Sequence, residues 1–147
     1  MAAKKTKKRA PSRKGSVAAK SPRRAAAKKT PPKNVNEIVH WEIQARDPGK
    51  LQAFYAKALG WKINANNPMQ YGMVSSGGAD GINGGISGSP TSGSRVLVYA
   101  AVPSIPPVLA KIKSLGGKIV MPRMDVGPVV MGLYEDPEGN TMGLIEA

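Results

Sequence analysis

An internal repeat constrains the fold more than any other feature of this 147-residue chain. The phrase LGWKI at residues 59–63 returns as LGGKI at residues 115–119, and each copy follows a stretch in which apolar residues recur at helical spacing. A run of β-branched and aromatic residues precedes each of these stretches, and shorter strand candidates follow them. A β-α-β-β-β unit that occurs twice predicts an α+β domain of two similar modules packed together.

The strand candidates of both units are separated by Gly, Pro, Asn and Ser, which favour turns. In the first unit they are residues 35–44, 61–64, 70–75 and 81–87. In the second unit they are residues 95–102, 118–121, 128–134 and 141–146. The stretch between the units, GSPTSGS, has linker composition and no apolar side chain. We therefore expect one domain, 35–147, made of modules 35–88 and 95–147.

Each unit has one predicted helix with recognisable ends. Asp47 is suited to cap the first helix, Pro48 is tolerated in its first turn, and Gly60 ends it. Two consecutive prolines mark the start of the second helix, because proline interrupts a helix beyond its first turn.

The net charge of +13 lies entirely in the first 34 residues. They contain 13 of the 22 Lys and Arg residues and none of the 9 Asp and Glu residues, so residues 35–147 are electrically neutral. Prolines aside, only Met1 and Val17 in this segment are apolar and larger than alanine. Because so little apolar surface cannot offset the entropy cost of ordering, we predict that residues 1–34 form a disordered basic tail.

This tail is predicted to bind polyanions. A flexible cationic segment neutralises phosphates and releases counterions whatever the base sequence. The phrase SPRR at residues 21–24 is similar to segments of linker-histone tails, and a purely solubilising role is the alternative. The side chains expected to contact nucleic acid are Lys7, Lys8, Arg9, Arg13, Lys14, Arg23, Arg24, Lys28 and Lys29.

The composition excludes several other classes of protein. The chain has no cysteine, which rules out disulfides and thiolate metal sites. No apolar run approaches the ~18 residues that a membrane span needs, and no apolar stretch of a secretory signal follows the basic start. We expect a cytoplasmic protein without membrane contact, associated with the nucleoid if its tail binds nucleic acid.

Phrases along residues 35–147 resemble the vicinal-oxygen-chelate superfamily, which includes glyoxalases, bleomycin-resistance proteins and extradiol dioxygenases. Within it, the resemblance is to the small glyoxalase-like proteins. The phrases are VHWEI at 39–43, DP at 47–48, FY at 54–55, LGW at 59–61, LGGK at 115–118, and DPEGN at 136–140 followed by GLIE at 143–146. The resemblance implies two βαβββ modules whose mixed sheets curl around a shared cavity, in a protein that forms homodimers.

The resemblance also implies where a metal site would lie. In metal-using members, four inward positions hold a divalent ion that acts as a Lewis acid. His40 and Glu146 stand at two of them by this resemblance, as metal ligands and as catalytic residues. Alignment of the two units places Ser87 and Leu97 at the other two, and a shift of two residues would bring Tyr99 to the position of Leu97. A divalent-metal site would therefore lack two of its expected ligands.

Three further residues are candidates for the wall of the cavity. Glu42 shares a face with His40 if the first strand alternates regularly. Trp61 and Tyr71 are the bulky groups on or beside the following strand candidates. Phe54 and Tyr55, by contrast, lie at helical spacing in the first predicted helix, and we predict that both side chains pack in the core.

The sequence leaves three functions open. The first is a glyoxalase-like protein that binds a small molecule, with or without lyase or isomerase chemistry at a degenerate metal site. The second is a non-catalytic binder that sequesters a ligand, as resistance-type members of the superfamily do. The third is a nucleic-acid-associated protein that uses its basic tail. Whether the chain is an enzyme is not decided by these residues.

Overall fold

The computed structural model describes residues 35–91 and 93–147, so the predicted tail lies outside the described residues. The predicted α+β class is confirmed: two helices accompany one eight-stranded mixed sheet, and the βαβββ order occurs twice. The elements of the first unit are β1 (Ile38–Ala45), α1 (Pro48–Leu59), β2 (Lys62–Asn64), β3 (Gly72–Ser75) and β4 (Gly84–Gly88). Those of the second unit are β5 (Arg95–Val102), α2 (Ile105–Ser114), β6 (Lys118–Asp125), β7 (Val130–Glu135) and β8 (Thr141–Glu146).

The helix ends follow the local signals in the sequence. The Asp47 carboxylate accepts a hydrogen bond from the backbone N–H of Lys50 at 2.9 Å, which caps α1 as predicted. Gly60 ends this helix with φ at 67°, a left-handed conformation that glycine adopts without a steric penalty. Helix α2 begins with its two prolines in the first turn, as predicted.

The two units join through their first strands at the centre of the sheet. The strand order is β2-β3-β4-β1-β5-β8-β7-β6, with β1 and β5 antiparallel. The last strand of each unit runs parallel to the first, since β4 pairs with β1 and β8 pairs with β5. This arrangement places the first and last strands of both units side by side in the middle of the sheet.

Both helices lie on one face of the sheet, which we call the helix face. Trp41 of β1 points to this face and contacts the ring of Trp61 near α1, with 5.0 Å between ring centroids. In the second unit, Val102 and Leu144 pack against Ile105 and Leu109 of α2, and all four side chains are buried. This cluster is the main apolar core of the second unit.

The opposite face of the sheet, which we call the open face, has no helix over it within the described part of the chain. Its central side chains are nevertheless buried: Leu97 is 1% exposed, Tyr99 2% and Leu133 7%. A flat uncovered sheet would leave such side chains in solvent. The sheet must therefore curl so that side chains of its outer strands cover its centre, as the fold class predicted.

Helix α1 differs from the sequence-based expectation. The prediction of Phe54 as a core residue is wrong, because its side chain is 58% exposed and α1 contains no buried residue. Its neighbour Tyr55 stacks on Trp61 instead, with ring centroids 5.0 Å apart. Helical spacing therefore identified the apolar residues of α1 but not which of them contact the sheet, because Phe54 and Leu59 are both 58% exposed. Neither described helix has the length and apolarity needed to cross a bilayer.

Candidate functional site

A histidine–tyrosine pair stands on the open face of the first unit. His40 lies on β1 and Tyr71 lies just before β3, and the imidazole Nε2 is 2.7 Å from the tyrosine hydroxyl. Burial lowers the pKa of His40 below its ordinary 6.5, although the Glu42 charge and a hydrogen bond with the Asn83 backbone act in the opposite direction. The ring is therefore mostly neutral at pH 7. The tautomer of His40 sets whether Nε2 or the Tyr71 hydroxyl donates this hydrogen bond.

A buried carboxylate lies next to this pair, on the same face as predicted. Glu42 is only 8% exposed, and each of its oxygens accepts a hydrogen bond from a hydroxyl group. Ser87 of β4 donates to Oε1 at 2.5 Å, and Tyr99 of β5 donates to Oε2. Burial raises the pKa of Tyr99, and the negative charge of Glu42 raises it further, so the hydroxyl remains protonated and can donate.

Two glycines leave room for the tyrosine rings. A Cβ atom at Gly85 of β4 would collide with the hydroxyl end of Tyr71, and one at Gly143 of β8 would collide with the ring of Tyr99. Any side chain at these positions would therefore displace a ring that contacts His40 or Glu42. The absence of side chains there is part of how the sheet builds the site.

The pair His40 and Tyr71 lines a groove of about 420 Å³ on the open face. The walls come mainly from β2 and β3 and mix apolar and polar groups. The other lining residues are Lys62, Ile63, Asn64, Met73, Val74, Ser75, Asn83 and Gly84. A second polar contact extends the site along β1, where Arg95 donates from Nε to the Gln44 side chain at 2.6 Å.

The structure does not bring Glu146 to His40. The β5–β8 register pairs Tyr99 with Gly143 and Val102 with Glu146, which puts Glu146 on the helix face. There its carboxylate accepts from the backbone N–H of Ile105 at 3.2 Å and from Arg123 Nε at 2.7 Å. Partial burial tends to raise the pKa of Glu146, but these hydrogen bonds and the Arg123 charge keep it below the ordinary value.

The remaining predicted site residues divide between the two faces. Ser87 and Leu97 lie on the open face, where Ser87 holds Glu42 and Leu97 is packed in an apolar cluster with Tyr99. Trp61 lies on the helix face between Tyr55 and Trp41, so it does not line the groove. The alignment of the two units that paired Ser87 with Glu146 does not hold in the structure, because these two residues lie on opposite faces of the sheet.

These donors do not fit a divalent metal ion. Within residues 35–91 and 93–147, no three His, Cys, Asp or Glu side chains lie close enough to share an ion. The Nε2 atom of His40 already faces a tyrosine hydroxyl, and both oxygens of Glu42 are hydrogen-bonded. With Glu146 on the other face, the two predicted ligands are not assembled, and a site of three or four protein ligands cannot form here.

Sequence reasoning gave Tyr99 only as a substitute metal position and missed its contact with Glu42. Strand alternation in β5 did carry a usable signal, because Tyr99 follows Leu97 by two residues and shares its face. Arg95 was also missed as a partner of Gln44. Both contacts depend on the register between β1 and β5. The residues in contact are 57 positions apart in the chain for Tyr99 and Glu42, and 51 for Arg95 and Gln44.

Comparison with known proteins identifies the family of this fold and site. The profile of the glyoxalase-like domain family matches residues 38–145. The protein therefore belongs to the glyoxalase-like domain family, whose fold is that of the glyoxalase/bleomycin-resistance/dioxygenase superfamily. No curated protein sequence matches the chain significantly.

Solved structures share the fold at low sequence identity. A hypothetical protein from Bacillus halodurans is 14% identical, with a TM-score of 0.57 over 76% of this chain and 94% of that one. A glyoxalase/bleomycin resistance protein/dioxygenase superfamily member from Vibrio splendidus is 16% identical, with a TM-score of 0.52 over 76% and 97%. A Streptomyces coelicolor methylmalonyl-CoA epimerase variant in complex with 2-nitronate-propionyl-CoA is 16% identical, with a TM-score of 0.53 over 76% and 94%.

Proposed function

We propose that the protein binds a small organic molecule in the groove beside His40 and that this binding does not use a metal ion. The observation that carries the proposal is the His40–Tyr71 pair, at 2.7 Å, in the wall of a groove of about 420 Å³. Small-molecule sites typically measure about 300–1,000 Å³ and combine apolar walls with a few placed polar groups. The groove has this size and this mixture of linings.

The polar groups of the site are held in position before any ligand arrives. The backbone carbonyl of Tyr71 accepts a hydrogen bond from the Asn67 side chain at 2.8 Å, and the backbone N–H of Tyr71 donates one to the same side chain at 3.0 Å. These two bonds fix the segment that carries Tyr71. Glu42 is held by hydroxyls from β4 and β5. Such preorganisation lowers the entropy cost of binding. The structural neighbour from Streptomyces coelicolor supports a ligand site in this fold, since it is a complex with an organic ligand.

Binding can be tested with a screen of small organic compounds against the full chain, followed by titration of the compounds that raise its unfolding temperature. We expect His40→Gln and Tyr71→Phe each to weaken binding at least tenfold. Glu146→Gln is the matched control, because it changes a carboxylate on the opposite face and should leave affinity unchanged. Equal loss in all three variants, or none in the first two, would place the ligand elsewhere.

A second candidate is a metal-independent enzyme that moves a proton, with His40 as the base. The lowered pKa of His40 favours it, because a mostly neutral imidazole at pH 7 is able to accept a proton. The test is exchange of an acidic C–H proton of a bound carbonyl compound for deuterium, followed by NMR. His40→Gln should abolish the exchange even at ligand concentrations that saturate the variant, and an unchanged rate at saturation excludes this chemistry.

We also propose nucleic acid as a partner of residues 1–34, on the basis of their 13 basic and no acidic residues. Affinity for duplex DNA of two unrelated sequences should be equal, should fall steeply with salt, and should vanish in a chain that begins at Val35. Retained affinity in that shorter chain would contradict this. We propose separately that the protein forms a homodimer, which sedimentation of the purified chain would test. We also propose that it lies in the cytoplasm, which fractionation of cells would test.

A further inference from the structure

We propose that the ligand is amphipathic, with an uncharged hydrogen-bonding head beside His40 and Tyr71 and a flexible apolar portion over the open face of the second unit. This inference rests on the proposed function, and it adds the chemical class of the ligand. The polar groove alone would serve many small molecules. The second unit restricts them, because its half of the same face has a different chemistry.

The open face carries mostly polar side chains in the first unit, apart from Met73, and mostly apolar side chains in the second. On the first unit it carries His40, Glu42, Gln44, Tyr71 and Ser87. On the second unit, the registers of β6, β7 and β8 place a row of apolar side chains there. They are Met121, Met124, Met131, Leu133 and Ile145.

Tyr99 joins the two halves. Its ring packs in the apolar cluster with Leu97 and Leu133, and its hydroxyl donates to Glu42. The same ring lies 5.8 Å, centroid to centroid, from the imidazole of His40. The polar and apolar parts of the open face therefore meet at this side chain.

The apolar half leaves methionine side chains accessible. Met124 is 45% exposed, and Met121 and Met131 are partly buried. On the other side of the same strands, comparable apolar side chains are covered by α2. Methionine is flexible and polarisable, so a row of accessible methionines suits an apolar group without a fixed shape. This argument favours a flexible chain over a rigid ring.

The charges around the groove favour an uncharged head. Lys62 stands in the groove wall, and the buried Glu42 lies behind His40. Their opposite charges offset each other for a group placed between them, while desolvating a charged head would cost free energy without a dedicated partner. A carbonyl or amide group can instead exchange hydrogen bonds with Tyr71 and Asn64, which line the same groove.

Straight-chain primary amides from propanamide to octanamide, titrated against the full chain, test this inference. The dissociation constant should fall by roughly two- to fourfold with each added methylene, because each one leaves water for the methionine surface. Met131→Ser should flatten this dependence on length and leave the affinity for propanamide unchanged. Met124→Ser should act in the same direction, and its exposed position makes loss of folding less of a concern.

Met142→Ser is the matched control, because Met142 lies on the neighbouring strand but on the helix face, where it contacts the Tyr134 hydroxyl. It should leave the whole series unchanged. If amides bind in a His40-dependent way but affinity does not rise with length, the amphipathic ligand is overturned while the proposed function stands. If no amide binds, or if Met142→Ser acts like Met131→Ser, this inference is also overturned, and the wider compound screen separately decides the proposed function.

Discussion

Glu42 is a nearly buried carboxylate. Among the described residues the one ion pair joins Arg123 and Glu146, so Glu42 is not paired with a cation there. Two hydroxyl donors take the place of a cation, and no buried side-chain N or O atom in the described residues lacks a hydrogen-bond partner. Hydrogen bonds to a charged group are stronger than neutral ones, which makes these hydroxyls important for stability.

Removal of one hydroxyl tests this dependence. We expect Tyr99→Phe to lower the free energy of unfolding by about 1–3 kcal/mol, because Glu42 stays buried with one donor fewer. Tyr134→Phe is the control, since its hydroxyl contacts only the sulfur of Met142, at 3.5 Å, and the change should cost less. Urea unfolding of both variants gives the comparison. Equal losses would mean that the Glu42 contact adds nothing specific.

The histidine next to it should make stability depend on pH. The pKa of His40 is lowered on folding, so between that value and 6.5 the unfolded chain binds more protons than the folded one. This contribution to stability is full above pH 6.5 and is lost as the pH falls through this window. His40→Gln should therefore reduce the slope of unfolding free energy against pH between about 5 and 7. An unchanged slope, measured by urea titrations across that range, would contradict a depressed pKa.

At the scale of elements, the last strand of each unit carries a glycine that leaves room for a tyrosine ring, in addition to its backbone hydrogen bonds. Gly143 of β8 lies against the ring of Tyr99, whereas a Cβ atom added to Gly88, at the end of β4, would meet no other group within 4 Å. A methyl group is therefore tolerated at Gly88, whereas at Gly143 it collides with the Tyr99 ring. The difference arises because the Tyr99 ring lies against Gly143, whereas no group among the described residues lies beside Gly88.

Gly143→Ala should lower the free energy of unfolding by about 1–3 kcal/mol, because the added methyl overpacks a buried ring. Gly88→Ala should be near neutral, because its methyl meets open space. Thermal unfolding of the two variants side by side measures the difference. A tolerated Gly143→Ala would show that Tyr99 moves without cost, and the hydroxyl contact with Glu42 would then be weak.

Sequence patterns located these elements well because the patterns are local. Strand β5 and strand β8 have the predicted bounds, and Asp47 and Gly60 end α1 as expected. The exposed Phe54 was missed because helical spacing identifies a face and not how deeply that face is buried. Strand β6 runs to Asp125, beyond its predicted end at 121, since β7 pairs with it despite irregular register.

At the scale of the whole molecule, the two units share one sheet but have unequal cores. Helix α2 buries Ile105 and Leu109, while α1 buries no residue. Both tryptophans lie in the first unit, so fluorescence reports on that unit. The central β1–β5 pairing couples the units, and we expect them to unfold together.

Leu109→Ala should lower the free energy of unfolding by about 2–5 kcal/mol, the usual cost of a buried leucine truncation. Because the units are coupled, the tryptophan fluorescence of the first unit and the circular dichroism of the whole chain should shift by the same amount. Val96→Ala, at a side chain that is 65% exposed, is the control and should shift neither probe. Separate transitions by the two probes would show that the units unfold independently.

The sequence by itself determined the repeated units, the bounds of most elements, the glyoxalase-like resemblance and the shared face of His40 and Glu42. These properties depend on short-range spacing and turn chemistry, which a sequence displays directly. The tertiary structure alone decided that Tyr71, Tyr99 and Ser87 meet them and that Glu146 does not. Those contacts depend on strand register across 31 to 57 residues, and a shift of one residue moves a side chain to the other face of the sheet.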